Sequence, residues 1–466
     1  MKWYRDRQLW VALTLGTLLR VVPALIWLDD GCVRDECTYI KLSERFAGGE
    51  GMTTSAGWLW APGYPVLLGI ARIITGYAST IKGVQVFAAA VNAVLVYLLA
   101  ARAFAGREGK NLLRPRRIAM WLYVTSPHIA FFATRLWSET LYSTVLLSAL
   151  LLLLVARDRV ANAAQASRAL GMAALVGGMI GVCVLFRGVA TYMLPIFMVG
   201  MVWQHFRQPK AWAQAALVAM AAACVVAPYS IHASQKFGGR IISDRTMGQM
   251  MWLGNNDFEP ITFDYGNGKL SKRAFNRTRK QGRAPCGDKG AAIERDTCQT
   301  QAGIDWIKSN PDEFVRRMPM RVAQLMNPHS LLTRHLRWGR WPGMHQAADE
   351  IIVLVGCVHS LAVMLLGAFG LATRGRGSQA LVIGGILVYH CAAIALLAGL
   401  SRYRVPLEAL LIIYTAGVLS APGLALQEMW ASRMRWRLAL MVLVMAIVTP
   451  LCLYYLPAGW PWWRTW

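Results

Sequence analysis

The feature that most constrains this chain is a series of long apolar runs that contain almost no charge. A transmembrane helix needs about 20 apolar residues, and 56% of the 466 residues are hydrophobic. We identify runs of about this length at 8–28, 84–105, 118–134, 139–156, 170–186, 189–205, 211–231, 350–372, 379–399, 405–425 and 438–456. The runs are continuous rather than alternating in polarity, so they predict helices. We therefore predict an all-α polytopic membrane protein, a bundle of about 11 transmembrane helices.

Short basic segments predict the orientation of the bundle. The opening MKWYRDR carries Lys2, Arg5 and Arg7, and the positive-inside rule places it in the cytoplasm. Counting from there, the basic segments at 107–117, 157–159, 206–210, 374–376 and 433–437 also fall inside. The first run is too long for a cleaved signal peptide. We expect a multi-pass protein of a bacterial inner membrane, with loops 29–83 and 232–349 on the periplasmic (exoplasmic) face.

The two outer loops divide the chain into three parts. Residues 1–231 form an N-terminal transmembrane module with the first loop, 232–349 a large exoplasmic cap, and 350–466 the C-terminal transmembrane helices. The cap has 19 lysines and arginines against 11 aspartates and glutamates. Such a basic surface suits lipid phosphates or an anionic acceptor. The sequence contains no nucleic-acid motif, and we predict no nucleic-acid partner.

Each outer loop contains an amphipathic segment that we expect to lie in the membrane interface. Residues 62–77 are apolar, but they are short and interrupted by proline and glycine. Residues 310–328 have apolar side chains at helical spacing with arginines between them, and Pro319 should bend this surface helix.

The cysteines fall into two groups. Five lie in apolar runs, where free thiols behave as small hydrophobic groups: Cys183, Cys224, Cys357, Cys391 and Cys452. Four lie in the outer loops, in an oxidising compartment: Cys32, Cys37, Cys286 and Cys298. The simplest pairing is two local disulfides, Cys32–Cys37 and Cys286–Cys298. A four-thiolate zinc site is the alternative, but the spacing lacks any C-x-x-C.

Charged residues recur where apolar runs reach the outer face. They are Asp35, Glu36, Arg135, Glu139, Arg187, Arg402 and Arg404. A single such arginine is usually a boundary charge that reaches the surface, and Arg135 with Glu139 could be a local i,i+4 salt bridge. Several on one side favour a site where a carboxylate takes a proton from a hydroxyl and arginines hold a phosphate.

The order of several motifs resembles the GT-C glycosyltransferases, in particular the protein O-mannosyltransferases, the aminoarabinose transferases and their bacterial relatives. The first loop carries an Asp–Glu pair, a tyrosine three residues later, then LSERFAGGEGM and APGYPVLLG. Later pieces agree: SPHIAFFATRLWSETLY, FRGVATYMLP, APYSIHASQKFG, the GNN at 254–256, NPDEFVRRMPMR and SRYRVPLEALLIIY.

The resemblance implies a GT-C-type fold and an enzyme that moves a sugar from a polyprenyl-phosphate donor to a periplasmic acceptor, usually with inversion. It implies Asp35 as the general base, with Glu36 beside it orienting the loop. It implies donor-phosphate binding by arginines at the outer ends of the runs, first Arg402 and Arg404, then Arg135 and Arg187. Supporting roles fall to Tyr39, Glu139 and Asn255. The acceptor can be a glycan, a lipid or a protein.

Three questions stay open at this stage. No metal-binding spacing occurs among His329, His335 and His345, so we predict no metal site; a divalent cation as cofactor is the alternative. A transporter or flippase of a lipid-linked saccharide would place ionisable residues at mid-membrane in both halves. A polymerase or ligase of O-antigen type would also use arginines and an outer loop, and the early Asp–Glu pair speaks against it.

Overall fold

A computed structural model describes residues 3–26, 32, 35–52, 60–105, 113–159, 166–257, 286, 292–329, 331–337, 346–399, 401–431, 439 and 442. All regular structure in these residues is helical. The helices are α1 (Arg7–Ile26), α2 (Asp35–Ala47), α3 (Gly63–Thr75), α4 (Ile81–Ala103), α5 (Leu113–Thr125), α6 (Pro127–Thr134), α7 (Glu139–Asp158), α8 (Ala166–Phe186), α9 (Leu194–Val202), α10 (Pro209–Phe237), α11 (Met247–Gly254), α12 (Ala292–Ser309), α13 (Pro311–Met326), α14 (Leu331–Arg337), α15 (Gln346–Arg374), α16 (Gly377–Leu396), α17 (Val405–Ser420) and α18 (Pro422–Ala431).

Eight segments of the described chain are long and apolar enough to cross a bilayer. They confirm the all-α polytopic membrane fold. The other three predicted runs differ. Run 118–134 is divided into α5 and α6 at Pro127, and run 189–205 is a 3-10 turn (Gly188–Met193) followed by the nine-residue α9. Run 438–456 lies almost entirely outside the described residues.

The division between α5 and α6 exposes helix carbonyls inside the bundle, and side chains satisfy them. The last carbonyls of a helix have no partner within that helix. Arg20 of α1 donates from Nη1 to the Val124 oxygen at 3.0 Å and from Nη2 to the Tyr123 oxygen at 3.4 Å. His359 of α15 bonds the Leu122 oxygen through Nε2 at 2.9 Å. The positive charge of Arg20 within an apolar run is thus explained by the carbonyls at the C-terminal end of α5, which it binds.

Close helix contacts form where side chains are smallest. Gly177 and Gly181, one turn apart on α8, face α10 so closely that a Cβ at Gly177 would lie 2.2 Å from the Val218 oxygen. This small-xxx-small pattern lets membrane helices approach at backbone distance. At the centre of the bundle, α17 is buried along nearly its whole length.

The two loop segments meet at one end of the bundle, around a 3-10 turn, Ser401–Arg404, that precedes α17. Asp35 of α2 forms an ion pair with Arg402 of this turn. From the second loop segment, residues 232–349, the Pro328 oxygen accepts a bond from Arg404 at 3.2 Å. We call this end of the bundle the loop end.

The two amphipathic segments are helical but differ in exposure. In α3, Ile73 and Ile74 are exposed, which fits an interfacial helix. In α13, which continues through Pro319, the expected basic surface is only partly present. Arg316 is exposed, whereas Arg317 and Arg321 are buried.

The two buried arginines of α13 bond to backbone at the ends of other helices. Arg317 donates to the Asn256 oxygen at 2.9 Å, and Arg321 donates to the Ala395 oxygen at 2.7 Å. The prediction of a wholly basic surface was therefore wrong for these two side chains. They are buried because they donate to backbone carbonyls near helix ends, and a buried carbonyl needs a hydrogen-bond partner.

Both predicted disulfides, Cys32–Cys37 and Cys286–Cys298, are present. The thiols of the apolar runs that the structure describes form no disulfide: Cys183, Cys224, Cys357 and Cys391. Cys452 lies outside the described residues.

Candidate functional site

Asp35 and Arg402 form an ion pair at the loop end, although 367 residues separate them in sequence. Asp35 is the first residue of α2, where the partial positive charge of a helix N-terminus favours a carboxylate. The Arg402 guanidinium lies 5.1 Å from the ring centroids of both Trp137 and Tyr403. These cation–π contacts hold Arg402 independently of Asp35.

A second ion pair, Arg187–Glu139, lies beside the first. Arg187 follows the end of α8, Glu139 begins α7, and their Nη1 and Oε1 atoms are 2.6 Å apart. Arg187 also lies 5.0 Å from the Tyr403 ring centroid, so one tyrosine ring contacts both guanidinium groups. Burial is the largest influence and opposes the charge on Arg187, but Glu139, Tyr403 and Tyr39 together outweigh it, and the pKa of Arg187 is raised.

A third pair, Glu36–Arg135, is almost fully enclosed. The carboxylate accepts from Arg135 Nε at 3.0 Å and Nη2 at 2.7 Å, and from the Leu136 backbone N–H at 2.9 Å. The two side chains are 3% and 2% exposed. This bidentate contact fixes α2 against the segment that joins α6 and α7.

Arg404 points away from Arg402 into the bundle and is 1% exposed. It donates from Nε to Glu408 at 2.6 Å, and its Nη2 lies 3.3 Å from His128 Nδ1. Ser360 bridges this group, since it contacts both His128 and Glu408. The network anchors the 3-10 turn on the side that faces the bundle interior. Arg402 is then the arginine of this turn that faces Asp35.

The two remaining predicted residues are Tyr39, which lies next to the ion pairs, and Asn255, which lies at a separate helix junction. Tyr39 packs against Trp60 and Tyr64, with ring centroids 5.3 and 4.9 Å away. Burial raises its pKa, and the nearby carboxylates of Glu139 and Asp35 raise it further. Asn255 lies in the junction of α11, α13 and α16.

The Asn255 side chain bonds Arg321 at 2.9 Å and the Leu396 oxygen at 3.1 Å. This contact joins α11 and α13 to the end of α16, a few residues before the 3-10 turn.

Sequence reasoning missed Trp137 and Tyr403, which contact the arginines of the site. Their only signal was an aromatic residue next to charged ones, in RLWSE and SRYR. Among the described residues, Trp137 Nε1, Arg402 Nε and Glu139 Oε2 are buried without a hydrogen-bond partner. Buried polar atoms of this kind are rare in folded proteins and often mark a ligand site.

Within the described part of the chain, no three His, Cys, Asp or Glu side chains are grouped as metal ligands. Two of the histidines considered from the sequence have other contacts: His329 with Cys357, and His335 with the Leu331 oxygen. His345 lies outside the described residues.

The helices and their order around the loop end define an all-α polytopic membrane fold. No protein-family model matches the chain, and no curated protein matches its sequence. Solved structures do match. One is the archaeal oligosaccharyltransferase AglB from Archaeoglobus fulgidus, in complex with an inhibitory peptide and a dolichol-phosphate, at 14% identity and a TM-score of 0.51.

The AglB match covers 97% of this chain and 55% of the other. The same oligosaccharyltransferase in complex with zinc and sulfate matches at 15% identity and a TM-score of 0.51, over 98% and 54% of the two chains. ArnT from Cupriavidus metallidurans, bound to undecaprenyl phosphate, matches at 12% identity and a TM-score of 0.41, over 87% and 78%. At these identities the likeness is one of fold, and the chain spans about half the length of the oligosaccharyltransferase.

Proposed function

We propose that the protein is an integral membrane glycosyltransferase. It takes a sugar from a polyprenyl-phosphate donor and transfers it, with inversion, to a hydroxyl or similar nucleophile of a periplasmic acceptor. The observation that carries this proposal is the Asp35–Arg402 ion pair beside Arg187–Glu139. A partly exposed carboxylate and two guanidinium groups lie together at one end of a membrane bundle, as a base and a phosphate site require.

The roles of the arginines follow from their burial. Arg402 and Arg187 are partly exposed, and most of their N–H groups have no partner among the described residues, so they are the proposed phosphate ligands. Arg135 and Arg404 are enclosed and held by carboxylates. We assign them positioning roles, Arg135 for α2 and Arg404 for the 3-10 turn.

In the proposed step the Asp35 carboxylate accepts the proton of the acceptor hydroxyl. The acceptor oxygen forms a bond to the anomeric carbon, and the bond from that carbon to the phosphate oxygen breaks. The electron pair stays on the phosphate, which leaves as polyprenyl phosphate and is stabilised by Arg402 and Arg187. Inversion requires one base and no protein nucleophile.

Two further observations support a lipid-carried donor. The solved AglB structure with the same fold contains a dolichol-phosphate. The site also lies at the end of apolar helices, so a polyprenyl tail can stay in the bilayer while its phosphate reaches Arg402.

The proposal includes the predicted orientation, with this site on the periplasmic side of a bacterial inner membrane, and the division into an N-terminal module, a cap and C-terminal helices.

A transporter or flippase is the alternative function. The charged residues of the site gather at one end of the bundle, whereas alternating access needs a site near the membrane midplane. This arrangement favours the transferase.

The proposal is tested with the purified full chain in nanodiscs, using polyprenyl-phosphate mannose, arabinofuranose and aminoarabinose donors and a cell-envelope fraction as acceptor. We expect transfer from one donor class, measured as label in the envelope fraction and as polyprenyl phosphate released. Asp35→Asn and Arg402→Met should each reduce the rate by about 100-fold or more, because base and phosphate ligand act in the transition state.

Arg316→Met is the matched control, because it removes an exposed arginine of α13 that lies outside the site. It should keep wild-type transfer. No transfer from any donor, or wild-type rates in Asp35→Asn and Arg402→Met, would refute the proposed function.

A further inference from the structure

Both members of the Asp35–Arg402 pair are partly exposed, which distinguishes it from the other two carboxylate–arginine pairs. Asp35 is 24% and Arg402 15% exposed. The carboxylates of the other pairs, Glu36 and Glu139, are 3% and 1% exposed. A ligand arriving at the loop end can therefore reach this pair and can move only this carboxylate.

The charge balance of the site makes such a movement favourable. Asp35 and Glu139 neutralise Arg402 and Arg187, so the four groups carry no net charge. A donor phosphodiester brings one negative charge into surroundings where an unbalanced charge is costly. The cost falls if one carboxylate withdraws from its arginine towards solvent as the phosphate arrives.

We propose that the donor phosphate and Asp35 compete for Arg402. On binding, the phosphate takes the place of Asp35 at the guanidinium, and the released carboxylate becomes available as the base. This inference rests on the proposed function and adds a sequence of events to it: the base is held by its arginine until the donor arrives.

The surroundings of the two side chains fit this exchange. Arg402 keeps its place without Asp35, because the Trp137 and Tyr403 rings hold its guanidinium. Asp35 is at the first position of α2, and its side chain is 24% exposed, so it has room to move towards solvent. The Cys32–Cys37 disulfide keeps this helix start close by, so the released carboxylate stays next to the site.

The exchange predicts the sign of a binding change. Wild-type protein must break the Asp35–Arg402 pair to bind a phosphate. Its apparent Kd for the phosphate is therefore the intrinsic Kd divided by the fraction of molecules in which the pair is open. We expect Asp35→Asn to bind undecaprenyl phosphate about fivefold more tightly than wild type, the effect of removing one partly exposed ion pair. The measurement is equilibrium binding to the detergent-solubilised full chain. Asp35→Ser is the second variant, should the asparagine form not fold.

Glu44→Gln is the matched control, because it removes one negative charge from the exposed part of the same helix. Glu44 lies 3.3 Å from Arg72 and away from Arg402. If the exchange is correct, its affinity for undecaprenyl phosphate stays within about twofold of wild type, since exposed charges at a distance are screened.

The outcomes separate this inference from the proposed function. Equal tightening in Glu44→Gln and Asp35→Asn would mean a diffuse charge effect and would overturn the exchange. Unchanged or weaker binding in Asp35→Asn, with sugar transfer lost, would also overturn it and leave the glycosyltransferase intact. Wild-type protein that does not bind undecaprenyl phosphate would remove both.

Discussion

At the scale of single residues, two adjacent carboxylates have different partners. Successive residues on a helix point about 100° apart, so Asp35 faces Arg402 while Glu36 faces Arg135. The first pair is partly exposed, and the second is enclosed and holds α2 against the segment after α6. An Asp–Glu pair that looks uniform in sequence thus divides into an accessible carboxylate, the proposed base, and an enclosed structural one.

We expect Glu36→Gln to lower the free energy of unfolding by about 3 kcal/mol, because it leaves the Arg135 charge buried without its partner. The double variant Glu36→Leu, Arg135→Met should recover most of this loss, since it removes both charges. Thermal unfolding in detergent measures both effects. Equal stability of wild type and Glu36→Gln would show that the pair does not fasten α2.

At the scale of elements, the break between α5 and α6 depends on side chains from distant helices. Ser126 caps the N-terminus of α6 by accepting from the Ile129 N–H, while Arg20 and His359 bond to the last carbonyls of α5. Composition alone predicts one helix over this run. Sequence could not show the break's partners, because they come from helices far apart in the chain.

Arg20→Met should lower the free energy of unfolding by about 1–3 kcal/mol, because two carbonyls inside the bundle lose their donor. Arg20→Lys should lose less, since an ammonium still donates and still opposes the helix C-terminal dipole. The control is Arg168→Met, an exposed arginine at the start of α8. A melting temperature in Arg20→Met equal to that of Arg168→Met would contradict the capping role.

At the scale of the whole molecule, the sequence predicted the fold class, both disulfides and the gathering of charges at one end. Long apolar runs and their flanking charges are local signals, so the features that they predict do not depend on which distant segments pack together. The pairing of charges is only partly local. Arg404 and Arg402 look equivalent in SRYR, yet Arg404 pairs with Glu408 four residues later, whereas Arg402 pairs with Asp35, 367 residues away. The first pair has helical i,i+4 spacing, but the second forms only through tertiary packing.

The orientation of the bundle stays a prediction and can be tested by labelling with an impermeant maleimide in intact cells. Glu44→Cys and Arg316→Cys, both exposed at the loop end, should react from the periplasm. Asp158→Cys, exposed at the end of α7 opposite Glu139, should react only after the inner membrane is opened. The reverse pattern would place the site in the cytoplasm.

The contact between Arg20 and the Val124 carbonyl also bears on how the chain is made. The two residues are 104 positions apart, and translation adds about 5–20 residues per second, so α1 leaves the ribosome roughly 5–20 s before α5 exists. During that interval Arg20, whose charge would cost about 2.5–3.5 kcal/mol at the centre of a membrane helix, lacks the Tyr123 and Val124 carbonyls and keeps the Gly16 oxygen of its own helix as an acceptor. The final packing of the first helix therefore depends on the fifth, and we expect α1 to reach its place in the bundle only after α5 has been made.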